Sequence, residues 1–221
     1  MVQRTYPGHC LIGNTETTKR KAKNEIIRML GKERQEEVDN PSWLVMFQGK
    51  YQPEYWIVLL IRKNALLDAV DSSLRDIWLE CCGHLSSFYI MGTEFQSNPK
   101  RGDGTEKMDI PVGEIFCPGL SGEHLYDYGD STYLTFKVLD LVPFAPDGGG
   151  NIELVGQNDP SEFPCSVCGK VATIICQECL YEHNPDNPYL CDDCFEEHEC
   201  EEEMSLPVVN SPRSGQCGYE G

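Results

Sequence analysis

The chain lacks an apolar run of membrane-spanning length: Trp56-Ile57-Val58-Leu59-Leu60-Ile61 is far too short, and Arg62-Lys63 closes it. The opening residues, Met1-Val2-Gln3-Arg4-Thr5-Tyr6-Pro7, lack the apolar stretch of a secretory leader. Positive charge is scarce, with 18 Lys and Arg against 36 Asp and Glu, for a net charge of −18. No glycine-rich phosphate loop and no adjacent nucleophile–base pair is visible. These absences argue against a membrane protein and a nucleotide-dependent enzyme, and they imply a cytoplasmic location. The acidic surplus also argues against nucleic acid as a partner, because phosphate backbones are held by basic patches. The one local exception is Lys19-Arg20-Lys21-Ala22-Lys23, in a stretch that otherwise reads as a solvated helix face.

Cysteine is what the chain has in excess. Of twelve, Cys10, Cys81, Cys82 and Cys117 are scattered, while eight fall between Cys165 and Cys217. In a chain without an export signal such crowding points to metal rather than disulfides. The pattern is Cys165-x2-Cys168-x7-Cys176-x2-Cys179-x11-Cys191-x2-Cys194-x3-His198-x-Cys200. Each Cys-x-x-Cys can place two thiolates on one tetrahedral ion through a tight turn, and Gly169 stands where such turns need positive φ. Three pairs with His198 and Cys200 supply ligands for two closed four-coordinate sites, which are structural because they leave no position for water or substrate. Sulfur with imidazole selects zinc over magnesium or calcium, so two structural zinc ions are expected. Cys217 and His183 stand in reserve as ligands. A helix over Asp192–Cys200 would put Cys194 and His198 on one face at i and i+4, where they could also share an ion.

Periodicity organises the remainder. Thr15 to Val38 reads as an amphipathic helix, with Ile26, Ile27 and Leu30 on its apolar side. Residues 55–61 read as a strand covered on both faces. Asp71–Cys82 reads as a helix capped by Asp71 or Ser72, carrying Leu74, Ile77, Trp78 and Cys81 inward, so that Cys81 and Cys82 read as core thiols. A hairpin over Ser86–Gln96 turns near Gly92. A second pairs His124–Tyr128 with Thr132–Val142 through Gly129-Asp130, and 151–157 is a last strand. Leu206-Pro207-Val208-Val209 could fold back as a strand in the tail.

Two motifs carry a resemblance. Trp78-Leu79-Glu80-Cys81-Cys82-Gly83-His84-Leu85-Ser86-Ser87-Phe88 and Tyr126-Asp127-Tyr128-Gly129-Asp130, with this element order, resemble the plasmid pRiA4b open-reading-frame-three-like family, also called MM3350-like, over about residues 50–155. The resemblance implies a compact α+β domain and supplies no mechanism. The family's Trp and then His after that turn are replaced here by Ser131-Thr132-Tyr133-Leu134, so any role of that histidine is absent. The cysteine pattern resembles B-box and related cross-braced zinc fingers. That likeness would put Cys165, Cys168, Cys191 and Cys194 on one zinc, and Cys176, Cys179, His198 and Cys200 on the other.

The expected organisation is therefore α+β. A helical arm over 1–42 precedes a pRiA4b-like domain over 43–157, a linker over 158–164, and a small two-zinc module with its tail over 165–221. A protein partner, basic in character, is expected of the acidic module, which makes the chain an adaptor rather than an enzyme. The oligomeric state is left open. The rival reading is an enzyme or DNA-transaction factor, using a polar cluster of His84, Asp127 and Asp130 near His124. Asp127 and Asp130 could bind a divalent ion across the turn, or simply serve turn chemistry.

Overall fold

A computed structural model describes residues 5–100, 102–183, 187–200 and 205–221. The chain divides into two compact units. The first comprises residues up to Asp76 with His84–Asp159, the second Ile77–Gly83 with Pro160–Gly221.

The first unit is built on strands β1 (Pro7–Cys10), β2 (Thr15–Thr18), β3 (Ser42–Gly49), β4 (Trp56–Arg62), β5 (Ser86–Ile90), β6 (Thr93–Gln96), β7 (Glu106–Lys107), β8 (Ser121–Tyr126), β9 (Thr132–Val142) and β10 (Ile152–Asn158). Its helices are α1 (Ala22–Glu33), α2 (Leu67–Leu74) and α3 (Val112–Ile115). All ten strands form one sheet in the order β2-β1-β10-β4-β3-β9-β8-β5-β6-β7. Neighbours are antiparallel except β6 and β7. The mixed α+β class expected from the sequence is the one observed, with a large sheet and few helices.

The unbroken apolar run of β4 is explained by its place in the sheet, because Trp56 through Ile61 are all fully buried. Trp56, Val58 and Leu60 face α1, joining Ala22, Ile26, Met29 and Leu30 in one core with Leu44 and Val155. The opposite face carries an aromatic cluster, with ring centroids 5.6 Å apart for Phe47–Phe136, 5.7 Å for Phe116–Phe136 and 6.1 Å for Phe88–Phe136. A bulge in β9 opposite Leu44/Val45 leaves Leu139 unpaired and reverses the phase of the strand. Leu134, Phe136 and Val138 therefore share one face, whereas Leu139 and Val142 pack on the α1 side.

Three expectations are corrected here. Thr15–Thr18 is not helical: three β-branched threonines pair with β1, and the helix starts only at Ala22, after a turn closed by Lys21 N–H to Thr18 O at 2.8 Å. That helix ends at Arg34 rather than Val38, where the guanidinium grips both Glu153 carboxylate oxygens at 2.6 and 2.7 Å. Residues 1–42, expected as a helical arm, thus contribute the edge strand β2 and its neighbour β1 as well as α1. The second helix begins at Leu67, so Asp71 lies inside it instead of capping it, and the α-helix gives way to a π-helical turn over Arg75–Leu79. Neither β1 nor the central strand β3 was foreseen.

In the second unit, strands β11 (Ile174–Cys176), β12 (Tyr189–Leu190) and β13 (Ser205–Pro207) form a small sheet in the order β12-β11-β13. Leu206 sits opposite Ile175, so the apolar stretch in the tail does fold back as a strand. Helix α4 spans only Asp192–Phe195, four residues of the nine expected up to Cys200. Among the described residues no helix is long and apolar enough to cross a membrane.

Candidate metal centres

None of the twelve cysteines forms a disulfide. In the second unit the backbone arranges thiols in pairs. At the first pair Gly169 adopts φ +75° and donates its N–H to Cys165 O at 3.0 Å, closing the turn that aims Cys165 and Cys168 at one point. At the second, the Cys179 N–H donates to Cys176 Sγ at 3.4 Å. At the third, Cys191 stands just before α4 and Cys194 inside it, with the Cys194 N–H on Cys191 O at 3.1 Å.

The little sheet decides which pairs meet. Ile174 is opposite Leu190, so the strand ends carry Cys176 past one end of the ladder and Cys191 past the other. Two separate ligand sets result: Cys165, Cys168, Cys191 and Cys194 in one, and Cys176, Cys179, His198 and Cys200 in the other, with ligand atoms in each set within 4.8 Å of one another. Alternate pairs therefore come together. Cys194 and His198, which an extended helix would have placed on one face, lie in different sets because α4 stops at Phe195.

The spacing suits tetrahedral ions. Sulfurs about 2.3 Å from a shared zinc lie about 3.8 Å apart, and sulfur and imidazole nitrogen about 3.6 Å. Cys168 and Cys191 are separated by 3.6 Å, Cys179 and Cys200 by 3.8 Å, and Cys179 Sγ and His198 Nε2 by 3.4 Å. The two clusters can hold metal ions.

Their electrostatics call for a cation. The thiol of Cys194 is pushed up to about 12 by its hydrogen bond with Cys168, by burial and by Cys191. Cys200 is pushed up to about 12 by burial and by Cys176 and Cys179. Only Cys165 moves the other way: burial opposes its ionisation, but hydrogen bonds from the backbone of Cys168, Cys191 and Val167 prevail and bring it to about 6. Crowded thiols inhibit one another's ionisation, and a divalent ion reverses that sign.

Both reserve ligands lie outside these sets. His183 Nδ1 is 3.6 Å from Cys200 Sγ, beside the second set, with Nε2 3.6 Å from Glu178. Cys217 lies elsewhere in the unit, its Sγ 4.0 Å from that of Cys82. Cys81 and Cys82, read from the sequence as core thiols, are half-buried and exposed respectively. Helical spacing had implied burial, but the helix has already ended at Leu79.

In the first unit, His84 Nε2 and Asp127 Oδ2 meet at 3.3 Å, and Asp127 also accepts the Gly129 N–H at 2.9 Å. Asp127 holds φ +65°, so its role in the turn is conformational as well. Asp130 joins no group of metal-ligating side chains among the described residues. The most buried polar assembly is a different one, which the sequence did not reveal. His124 Nε2 and Asp71 Oδ1 are 2.7 Å apart, and Arg75 Nε donates to Asp71 Oδ2 at 2.7 Å. Burial works against the Asp71 carboxylate, but His124 and Arg75 outweigh it and hold the group below its ordinary value. Arg75 also donates to Ser86 Oγ at 2.9 Å and lies over the Tyr126 ring. His124 Nδ1 has no hydrogen-bond partner among the described residues.

No protein-family model and no curated protein matches the chain. Among solved structures the chain is similar to the protein of unknown function MM3350 from Methanosarcina mazei Go1, with a TM-score of 0.46 and 13% identity over 53% of this chain and 69% of that one.

Proposed function

We propose that this is a zinc-dependent protein-binding protein, in which a pRiA4b-type α+β unit is joined to a two-zinc module that presents an acidic surface to a basic partner. The observation that carries it is the closure of both ligand sets: each gathers four protein donors, seven thiols and one imidazole in all. Zinc fits this donor chemistry, and sites saturated by protein are structural rather than catalytic. Seven thiolates with two zinc ions leave a charge of about −3, so the ions do not cancel the acidity around them. Glu182, Asp192, Asp193, Glu196, Glu197 and Glu199 are exposed on the same unit. A surface of that sign steers basic protein segments and repels nucleic acid.

The test is a fluorescence titration of the full chain with Lys/Arg-rich peptides, acidic peptides of equal length and labelled oligonucleotides. Basic peptides should bind in a salt-sensitive manner, and binding should vanish in Cys165→Ser/Cys168→Ser. Oligonucleotides bound more tightly than basic peptides would overturn the adaptor reading in favour of a DNA-transaction role.

A further inference from the structure

Two cysteines that the zinc ligand pattern does not use, Cys81 and Cys82, belong to the short segment Ile77–Gly83, which is grouped with the C-terminal unit although it is distant from it in sequence. The tail reaches that segment through specific contacts. Ser211 Oγ donates to Trp78 O at 2.7 Å, and Arg213 Nη2 donates to Cys81 Sγ at 3.4 Å. Beyond Arg213 the chain turns through Gly215 and brings Cys217, at φ +43°, to the same place. The Sγ atoms of Cys81 and Cys82 are then 3.6 Å apart, and those of Cys82 and Cys217 are 4.0 Å apart.

We propose that Cys81, Cys82 and Cys217 form a third zinc site, one that ties the Ile77–Gly83 segment to the tail. This rests on the zinc reading of the other two clusters and extends it. The separations bracket the edge of about 3.8 Å expected for thiolates on one tetrahedral zinc. They are far from the roughly 2.05 Å of a disulfide.

The charge at the site supports the assignment. Arg213 is fully buried, and a buried guanidinium calls for negative charge beside it. Three thiolates with one zinc carry about −1, a sign that suits the guanidinium donating to Cys81. The topology gives the site a purpose: Cys82 and Cys217 are 135 residues apart, and closing so long a loop limits the unfolded chain more than a local turn does.

The experiment is native mass spectrometry with elemental analysis on the full chain, purified without added metal. The wild type should carry three zinc ions, and Cys117→Ser, which alters an exposed cysteine outside every cluster, should retain three. Cys82→Ser should carry two, and Cys82→His, which restores a ligand, should return to three. The His variant separates ligand loss from misfolding. Two ions in the wild type, unchanged in Cys82→Ser, would overturn the third site and leave the other two standing. No zinc in the wild type would overturn both readings. A mass deficit of two hydrogens that maps to a Cys81–Cys82 disulfide would also overturn the third site.

Discussion

The two units reach stability by opposite routes. In the sheet unit, Trp56 to Ile61 vanish completely from solvent, and α1 covers a continuous apolar face. In the second unit the main buried cluster consists of Cys165, Cys176, Cys179 and Cys191 with Leu190 as its one aliphatic member. Apolar area drives the first kind of core at about 25 cal/mol per Å². The second kind has little such area, and its buried groups are mostly thiols. A domain of this size commonly relies on metal or disulfides for that reason. On the proposed zinc reading, the ions belong to the fold of the second unit and have no part in that of the first.

Metal removal should break the comparison most sharply. A strong chelator should abolish amide-exchange protection in β11, β12 and β13, because ligation of structural zinc contributes on the order of 10–16 kcal/mol in small modules. Protection in β3, β4 and β9 should persist. Uniform loss would show that the two units fold as one, and complete persistence would show that the thiol clusters pack without metal.

The same contrast explains what could be read from the sequence. Cysteine pairs are local, so the members of both Cys/His clusters were legible, as were β4 from its apolar run and β9 from its alternation. Which pairs come together depends on Ile174 facing Leu190, a pairing across the sequence that spacing alone leaves open. Strand β3 was missed although it lies at the centre of the sheet, since Trp43 to Phe47 carries no periodicity to distinguish strand from helix. The Cys81, Cys82 and Cys217 cluster needed the tail to reach back over more than a hundred residues. Likewise His124 and Asp71 meet only because β8 faces α2, and Asp71 looked locally like a cap.

Asp71 offers the next largest effect, confined to the sheet unit. Asp71→Asn leaves Arg75 and His124 without their carboxylate and should cost about 3–5 kcal/mol, the usual result of breaking a buried ion pair from one side. The pH dependence has a definite sign. Because the folded-state value is lowered, the contribution is fully present above the ordinary Asp value of 3.8 and is lost as pH falls through the lowered one. The stability gap between wild type and Asp71→Asn, read from exchange of β3 and β4 amides, should be widest near neutrality and narrow below about pH 4. A gap independent of pH would mean that the carboxylate acts through shape rather than charge.

The smallest effect belongs to Lys170, the sole cation in the acidic stretch from Phe163 to Cys200. Its Nζ meets Asp193 Oδ2 at 2.7 Å beside the first thiol set, a geometry that invites a stabilising role. The side chains are 66% and 77% exposed, however, and at such exposure water and salt screen the attraction while ordering two long side chains costs entropy. Asp193 favours the charged form of Lys170 first, with the thiols of Cys168 and Cys191 adding further to it. That influence acts mainly on the lysine and leaves the ligand geometry to the backbone turns at Cys165 and Cys191. Lys170→Ala should therefore leave the zinc count and the thermal midpoint unchanged at physiological salt, by elemental analysis and circular dichroism. Loss of one ion in that variant would mean that surface charge, rather than backbone-directed thiols, holds the first site together, and the contrast between the two units would have to be redrawn.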